Sequence, residues 1–324
     1  MREVPVVREN DVWWDRSVLG GPSKGSLELL PSPLSELPAS PSGVCNVWMG
    51  GMENDAADRW AGEAVSRVWP GAVVTVRACR RFVVRAVRRM TEFGTWQFLD
   101  VGLGLSVGPQ VHEVARRMYR DARVVYVAQD PVVVERGQRA LSRDPKAVMV
   151  RGDVRDPAAL LADPVVTGHL DWTLPVGVVL GDALPFVGPS DDPAGIVAAL
   201  RKVMIPGSGV VICHPVSCGG TAAARVWREA VGPVYPRSVE EIEGFFEGFK
   251  VWEPGVVRAD LWRVPGSRGW TKRPGWADVL RYSPARQGGV CAVAGVGSLH
   301  GARVRSAPMP PSGDVGGRTP ERMR

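Results

Sequence analysis

The sequence contains few of the residues that build disulfide frameworks or zinc sites. Only five of its 324 residues are cysteine and four are histidine, the cysteine number is odd, and no Cys-x-x-Cys pair occurs. Neither a secreted disulfide scaffold nor a structural zinc domain is indicated, and a reducing compartment suits the chain. We therefore expect no metal site.

Long apolar segments are also lacking. No apolar run approaches the roughly 20 residues that a membrane-spanning helix needs. The first residues, Met1 to Pro5, lead into no apolar core of a signal peptide. We expect a cytoplasmic protein that does not bind a membrane.

The excess of charge of one sign is small. The chain has 40 basic and 34 acidic residues, a net charge of +6, and much of the excess lies in arginines near the C-terminal end. A solvated surface explains this charge better than a nucleic-acid groove does, so a nucleic-acid partner is not expected. A nucleic-acid-modifying enzyme is the weakest of the alternatives, and the sequence gives no indication of the oligomeric state.

Composition divides the chain into four parts. Stretches rich in Gly, Pro and Ser occupy 20–43 and the region after 298, whereas the segment between them has ordinary globular composition. We predict an extended or disordered leader (1–42), an N-terminal helical cap region (43–94), a Rossmann-like domain (95–297) and a flexible tail (298–324).

The hydrophobic pattern is helical first and then alternates between strand and helix. Residues 71–91 predict a helix with one apolar face and one solvated arginine face, ending at Gly94. Helices are predicted at 109–119, 131–141, 157–162 and 193–203, and two more within 219–248. Seven strands are predicted: Trp96–Val101, Arg123–Val127, Ala147–Val150, Val176–Leu180, Gly209–Cys213, Phe249–Trp252 and Val290–Val296. This alternation predicts a doubly wound α/β fold with a mostly parallel sheet.

The turn after the first predicted strand is the most informative short motif. Asp100 is followed by Gly102 and Gly104, at the strand end where open parallel sheets bind ligands. A lone Gly-x-Gly is a weak signal. Val107 stands where a dinucleotide fingerprint needs a third glycine, and an acid before the turn suits an amine better than a pyrophosphate. The turn therefore favours S-adenosylmethionine over NAD, with an NAD-dependent oxidoreductase as an alternative.

Two further acids follow the second and third predicted strands. Asp130 is placed to accept hydrogen bonds from ribose hydroxyls, or to cap the helix that Pro131 begins. Asp153 and the backbone of Val154 are placed to contact an adenine edge, or Asp153 is a turn residue. Both alternatives are open at each acid.

Methyl transfer relies mainly on positioning, and a general base helps when the acceptor is a hydroxyl or an amine. The candidates at strand ends are Asp182 and His214, with His112 nearby. For each histidine an ordinary structural role is favoured. Among the arginines of 71–91, Arg80 is the candidate to reach a carboxylate of the cofactor or acceptor.

The segment NVWMGGMENDAADR (46–59) resembles a motif of the actinobacterial S-adenosyl methyltransferase family, Asn-Tyr-Leu-Leu-Gly-Gly-Lys-Asp-Asn followed by Ala-Ala-Asp-Arg. Further matches lie at Arg80, at 97–104, at 112–115, at 191–193 and at 236–238. The resemblance covers about residues 42–296.

The resemblance implies a class I methyltransferase fold with a helical cap over the pocket for S-adenosylmethionine. It also implies a methyltransferase that uses this cofactor on an unknown, small-molecule acceptor. The residues it places at the cofactor are Gly50, Gly51, Asn54, Arg80, Asp100, Gly102, Gly104, Asp130, Asp153 and Val154.

Four positions depart from the family pattern. Met52 replaces a lysine, Cys79 replaces the asparagine before Arg80, Ala128 replaces an acid after the second strand, and Pro185 replaces a histidine. Loss of an acid that binds ribose weakens affinity by about ten- to a hundredfold, unless Asp130 substitutes for it. The alternative function is accordingly a catalytically degenerate S-adenosylmethionine- or nucleotide-binding protein with a regulatory role.

Overall fold

The computed structural model describes residues 38–102, 104, 107–216, 220–263 and 292–299. The predicted leader (1–42) and tail (298–324) lie almost wholly outside these ranges. The helices and strands are α1 (Pro41–Met49), α2 (Ala56–Val68), α3 (Ala72–Glu92), β1 (Gln97–Val101), α4 (Val111–Arg116), β2 (Arg123–Ala128), α5 (Pro131–Leu141), β3 (Ala147–Arg151), α6 (Pro157–Ala162), α7 (Pro164–His169), β4 (Val176–Leu180), α8 (Pro193–Lys202), β5 (Gly209–Pro215), α9 (Gly220–Ala230), α10 (Val239–Gly244), β6 (Lys250–Val251), β7 (Val257–Arg258) and β8 (Ala292–Ser298). Short 3₁₀ turns occur at Leu184–Phe186 and Pro189–Asp191.

A single sheet runs through the domain in the order β3-β2-β1-β4-β5-β8-β6, and β7 also pairs with β8. β1 to β5 are parallel, and β8 is antiparallel to β5. The prediction of a Rossmann-like, mostly parallel sheet is confirmed. The described residues form eight strands where seven were predicted. The additional strand, β7, has only two residues, too few for a periodic pattern.

Asp-Pro pairs begin four of the helices that cross between strands. Asp130, Asp156, Asp163 and Asp192 each accept a hydrogen bond from a backbone N–H of the first turn, and proline follows each acid. The carboxylate satisfies an otherwise unpaired donor, and the fixed φ of proline suits the first helical position. These local signals explain why the predicted helix starts at 131, 157 and 193 agree with the structure, whereas α7, which begins at Pro164, was not predicted.

The sheet is covered on both faces, as the apolar strands require. α3, α4 and α5 pack on one face around Phe98 and Tyr126. α6, α7, α8 and α10 pack on the other face around Leu99 and Ile212. The chain order reverses between β1 and β4, so a crevice opens at their carboxyl ends.

A third, smaller apolar cluster forms the N-terminal cap. It joins α1 and α2, through Val44, Trp48, Ala61 and Val65, to Trp227 of α9. The first turn of α3 belongs to this cluster and its later turns pack on the sheet. The division of the chain at residue 94 stays a prediction.

The arginine face of α3 differs from the expectation of a solvated face. Arg77 Nε donates to Trp48 O at 2.9 Å, and Arg85 donates to Trp262 O at 3.0 Å and to Ala259 O at 2.8 Å. These half-buried side chains connect α3 to its neighbours, and burial lowers the pKa of Arg85 to about 10. The helix ends as predicted, with Gly94 at a φ of +98°.

No helix in the described ranges has both the length and the apolar character that crossing a bilayer requires.

Candidate functional site

Two neighbouring cavities lie at the carboxyl ends of the parallel strands. The smaller has a volume of about 180 Å³ and faces the ends of β1, β2 and β3. The larger, of about 460 Å³, extends from the ends of β1, β4 and β5 to the cap helices. Ser42 and Phe186 line both, so the two cavities share a wall.

The smaller cavity brings together several residues predicted from separate strand ends. Gly102, Asp130, Asp153 and Val154 all line it, and Ala128 does as well. They come from three parallel strands whose carboxyl ends meet at one edge of the sheet. This is the arrangement that the order of acids along the sequence predicts.

Asp130 both caps α5 and faces the smaller cavity. Its Oδ1 accepts a hydrogen bond from Val132 N at 2.8 Å. A carboxylate has two oxygens and about four acceptor positions, so the cap leaves acceptor capacity on the same group. The two functions predicted for Asp130 are therefore geometrically compatible.

The Asp153 carboxylate is held by its own neighbours. Arg155 Nε donates to it at 3.0 Å, and Gln129 Nε2 donates to Oδ2 at 2.9 Å. The hydrogen bond from Arg155 is the main reason that the pKa of Asp153 is lowered. The acid stays ionised and oriented, with its oxygens already partly used.

Asp100 and Arg80 lie in the wall of the larger cavity, beside Gly104. Burial raises the pKa of Asp100 from 3.8 to about 7, while the positive charge of Arg80 lowers it and Asp182 raises it further. Arg80 also donates to Pro109 O and, at 3.4 Å, to Gln110 Oε1. It thereby fixes the segment that follows the glycine turn.

The glycine-rich loop after α1 contributes through Asn46. Gly50, Gly51 and Asn54 are absent from the walls of the two cavities, whereas Asn46 lines the larger one. Asn54 Nδ2 donates to Asn46 Oδ1 and to Gly51 O, both at 2.9 Å. A Cβ on Gly51 would stand 2.5 Å from Asn46 Nδ2. These residues therefore hold Asn46 in place. Asn46 belongs to the motif, but the sequence alone did not single it out.

The three candidate bases occupy different environments. Asp182 lines the larger cavity, close to Gly102 and Asp100. His112 lies outside both cavities, and its Nδ1 contacts the Tyr126 hydroxyl at 2.8 Å. The same hydroxyl accepts a hydrogen bond from His112 N at 3.1 Å, and the two contacts hold the start of α4 against β2.

His214 is fully buried and lies outside the two cavities. Its Nδ1 donates to Pro215 O at 2.8 Å, and its Nε2 accepts from Arg237 at 2.7 Å. Burial, reinforced by the charge of Arg237, lowers the pKa of His214 to about 4. The ring is neutral with both nitrogens engaged by the protein.

Arg237 connects this histidine to the wall of the cavities. Its guanidinium donates to Leu184 O at 2.9 Å and to Val187 O at 2.6 Å. It is 6% exposed, so it acts as an internal clamp on the 3₁₀ turn that carries Pro185 and Phe186. The sequence gives no local sign of this contact, which joins residues about 50 positions apart.

The departures from the family motif fall in different places. Met52 is 93% exposed, so the replaced lysine stands at a solvated position. Ala128 lines the smaller cavity, and Cys79 and Pro185 line the larger one. Three of the four departures thus lie in the walls of the site.

Comparison with known proteins gave matches over most of the chain. A sequence profile for the family described as S-adenosyl methyltransferase matches residues 31–297. A crystal structure of a candidate methyltransferase from Thermobifida fusca is 33% identical, has a TM-score of 0.72 and covers 82% of this chain and 96% of its own. A DUF574 family protein from Streptomyces avermitilis is 31% identical, with a TM-score of 0.71 and coverages of 81% and 98%. The sequence matches no curated protein.

Proposed function

Because the chain belongs to the S-adenosyl methyltransferase family, we propose that its two adjoining cavities hold S-adenosylmethionine and a small-molecule acceptor side by side. The protein is an S-adenosylmethionine-dependent methyltransferase. The finer proposal concerns the residues that bind the cofactor and the kind of molecule that is methylated. We also place the reaction in the cytoplasm, since the described cysteines are free thiols.

The chemistry of the residues at the strand ends fits the cofactor. Asp100 supplies a carboxylate for an amine, and Arg80 supplies a guanidinium whose buried Nε has no partner among the described residues. Asp130 faces the smaller cavity, where it would bind ribose, and Asp153 with Val154 would border adenine. Gly102 and Gly104 complete this set, and Gly50, Gly51 and Asn54 act through Asn46.

When bound, S-adenosylmethionine supplies a methyl group activated by a sulfonium. The larger cavity offers the acceptor an apolar wall and Asp182, which we assign as the general base. His214 is buried behind the wall, so its role in the proposal is to position the 3₁₀ turn through Arg237. The observation that carries the proposal is that residues assigned to the cofactor line both cavities, Asp130 the smaller and Asp100 the larger, so the cofactor would meet the acceptor in the larger cavity, as direct transfer requires.

Calorimetric titration of the full chain with S-adenosylmethionine and S-adenosylhomocysteine tests the proposal. We expect micromolar binding of both, and a loss of at least tenfold in the Asp100→Ala variant. Asp121→Ala is the matched control, because it removes an exposed carboxylate that pairs with Lys146 ahead of β2. Release of S-adenosylhomocysteine in an acceptor screen then measures turnover. Absence of binding by folded protein would overturn the proposal, and binding without turnover on any acceptor would favour a regulatory binding protein.

A further inference from the structure

Three aromatic rings from separate elements form a row along the larger cavity. Trp48 of α1 and Trp227 of α9 have ring centroids 5.7 Å apart at an interplanar angle of 44°. Phe186 of the 3₁₀ turn continues the row, 6.2 Å from Trp227 at 28°. All three residues line the cavity, and these separations are those of favourable aromatic pairs. The row presents a wall suited to a further flat ring.

The row is fixed at both ends by hydrogen bonds. Trp48 Nε1 donates to Gly62 O and to Ser66 Oγ, both at 3.1 Å, so its N–H is used by α2. Phe186 belongs to the turn whose flanking carbonyls Arg237 holds. An aromatic wall that is already ordered costs a ligand little entropy on binding.

The charges around this cavity are few. In the described part of the chain its only charged wall residues are Arg80, Asp100 and Asp182. Arg80 is already engaged with Pro109 O and lies within the field of Asp100. Burial raises the pKa of the Cys45 and Cys213 thiols, so these two wall residues add no charge. The cavity thus holds no second cation to balance an anionic acceptor.

We propose that the acceptor is an uncharged, planar aromatic molecule that carries a hydroxyl group. The inference deepens the proposed function and rests on it. Arg80 and Asp100 match the carboxylate and amine of the cofactor, and Asp182 balances the sulfonium, so a neutral acceptor keeps the site neutral. A carboxylate on the acceptor would face Asp182 with no cation to offset it. A protonated amine would add a positive charge and has no lone pair for the reaction.

The reaction balances with these groups alone. A lone pair of the acceptor oxygen forms the new C–O bond as the C–S bond breaks, and its electrons stay on sulfur as the thioether. The hydroxyl proton passes to the Asp182 carboxylate. The products are the methyl ether, S-adenosylhomocysteine and protonated Asp182, which returns its proton to water.

Three naphthalenes with a neutral, an anionic and a cationic substituent at the same ring position test the inference: 2-naphthol, 2-naphthoate and protonated 2-(aminomethyl)naphthalene. Each is titrated into full-chain protein saturated with sinefungin, an S-adenosylmethionine analogue whose protonated amine stands in for the sulfonium, with tryptophan fluorescence as the readout. We expect 2-naphthol to bind at least tenfold more tightly than either charged probe. In Asp182→Asn, the affinity for 2-naphthoate should rise at least fivefold, because the repulsion between its carboxylate and that of Asp182 is removed. Trp227→Leu should weaken 2-naphthol binding by at least threefold, whereas Trp252→Leu, at the Phe93 contact away from the cavity, should not.

The outcomes separate the two levels of the proposal. Equal or tighter binding of either charged probe, or no binding of 2-naphthol by the loaded protein, overturns the uncharged aromatic acceptor and leaves the cofactor site intact. Failure of S-adenosylhomocysteine to bind overturns the proposed function itself. Unchanged 2-naphthoate binding in Asp182→Asn also contradicts the inference, and this isosteric variant keeps the test valid if Trp227→Leu does not fold.

Discussion

Asp182 lies so close to Gly102 that a Cβ on Gly102 would stand 1.9 Å from Asp182 Oδ1. Gly102 follows β1 and Asp182 follows β4, two strands that are parallel neighbours at the point where the chain order reverses. The glycine turn therefore has a steric requirement from the protein itself. It leaves room for the carboxylate that we assign as the base.

Gly102→Ala should disturb the site through this contact. The added methyl group must displace Asp182 or the turn, and we expect affinity for S-adenosylhomocysteine to fall at least tenfold, with about 1–3 kcal/mol of lost stability from overpacking. Gly168→Ala is the matched control, since a Cβ at that α7 position has no neighbour within 4 Å. Calorimetry and urea unfolding measure both variants. Affinity within twofold of the wild type in Gly102→Ala would contradict the steric role.

Asp130 can be tested for ribose binding separately from helix capping. Asparagine is as good an N-cap as aspartate, so Asp130→Asn should keep stability within about 0.5 kcal/mol, whereas Asp130→Ala should lose about 1 kcal/mol. If the carboxylate binds the ribose hydroxyls, both variants should bind S-adenosylhomocysteine about tenfold more weakly. Thermal unfolding and calorimetry together distinguish the two functions.

Asp156 supplies the control for Asp130, because it caps α6 in the same way and lies outside the walls of both cavities. Asp156→Asn should change neither stability nor affinity. Wild-type affinity in Asp130→Asn would show that the acid is only a cap and that no acid replaces the one missing at Ala128.

The sequence predicted the parts of this site that depend on local pattern. Val-rich runs located the strand ends, and that is why Gly102, Asp130 and Asp153 were expected near one another and do line one cavity. The cap at Asp130, before Pro131, was predicted for the same reason, since cap and helix are adjacent in sequence.

The parts that depend on tertiary packing could not be predicted in this way. Trp227 reaches the cavity from α9, and Arg237 clamps carbonyls of a distant turn. The arginines of α3 follow an amphipathic pattern that is usual for a solvated face, yet Arg85 is half-buried against Trp262 and Ala259. Pairings of this kind leave no periodic signal in a single sequence.

Asp100 should make the stability of the ligand-free protein depend on pH. Its pKa is about 7 when folded against an ordinary 3.8, so the folded state binds more protons between these values and stability falls as pH rises through them. At pH 8 we expect the free energy of unfolding of Asp100→Asn to exceed that of the wild type by about 2 kcal/mol. This is about half of what the full pKa shift would give, since water in the cavity solvates the carboxylate. Urea unfolding at pH 5 and pH 8 measures the difference. Equal pH slopes for the two proteins would contradict it.

Ligand binding should respond to the same ionisation in the opposite sense. If ionised Asp100 binds the amine of the ligand, affinity for S-adenosylhomocysteine should rise roughly tenfold between pH 6 and pH 8 as the ionised fraction grows. Asp100→Asn should bind weakly and without this pH dependence. A wild-type affinity that is flat over this range would argue that another group binds the amine.

His214 should destabilise the protein on the acidic side. Its pKa is about 4 in the buried site and near 6.5 when unfolded, so the unfolded state takes up the proton first and stability is lost as pH falls from about 6.5 to 4. Gln at this position keeps an acceptor for Arg237 and does not titrate. The stability advantage of the wild type over His214→Gln should therefore shrink by about 2–3 kcal/mol between pH 7 and pH 4.5.

The partly buried histidine at the end of α7 provides the matched substitution for this experiment. His169 Nε2 lies 3.3 Å from Pro145 O, and His169→Gln is the same change made away from Arg237. A constant difference between wild type and His214→Gln would mean that the ring accepts a proton in place. Arg237 would then have to give up its hydrogen bond to the ring, and its clamp on the turn at Leu184–Phe186 would open in acid. Weaker binding of S-adenosylhomocysteine at pH 5, measured in Asp100→Asn to remove the titration of Asp100, would reveal this opening.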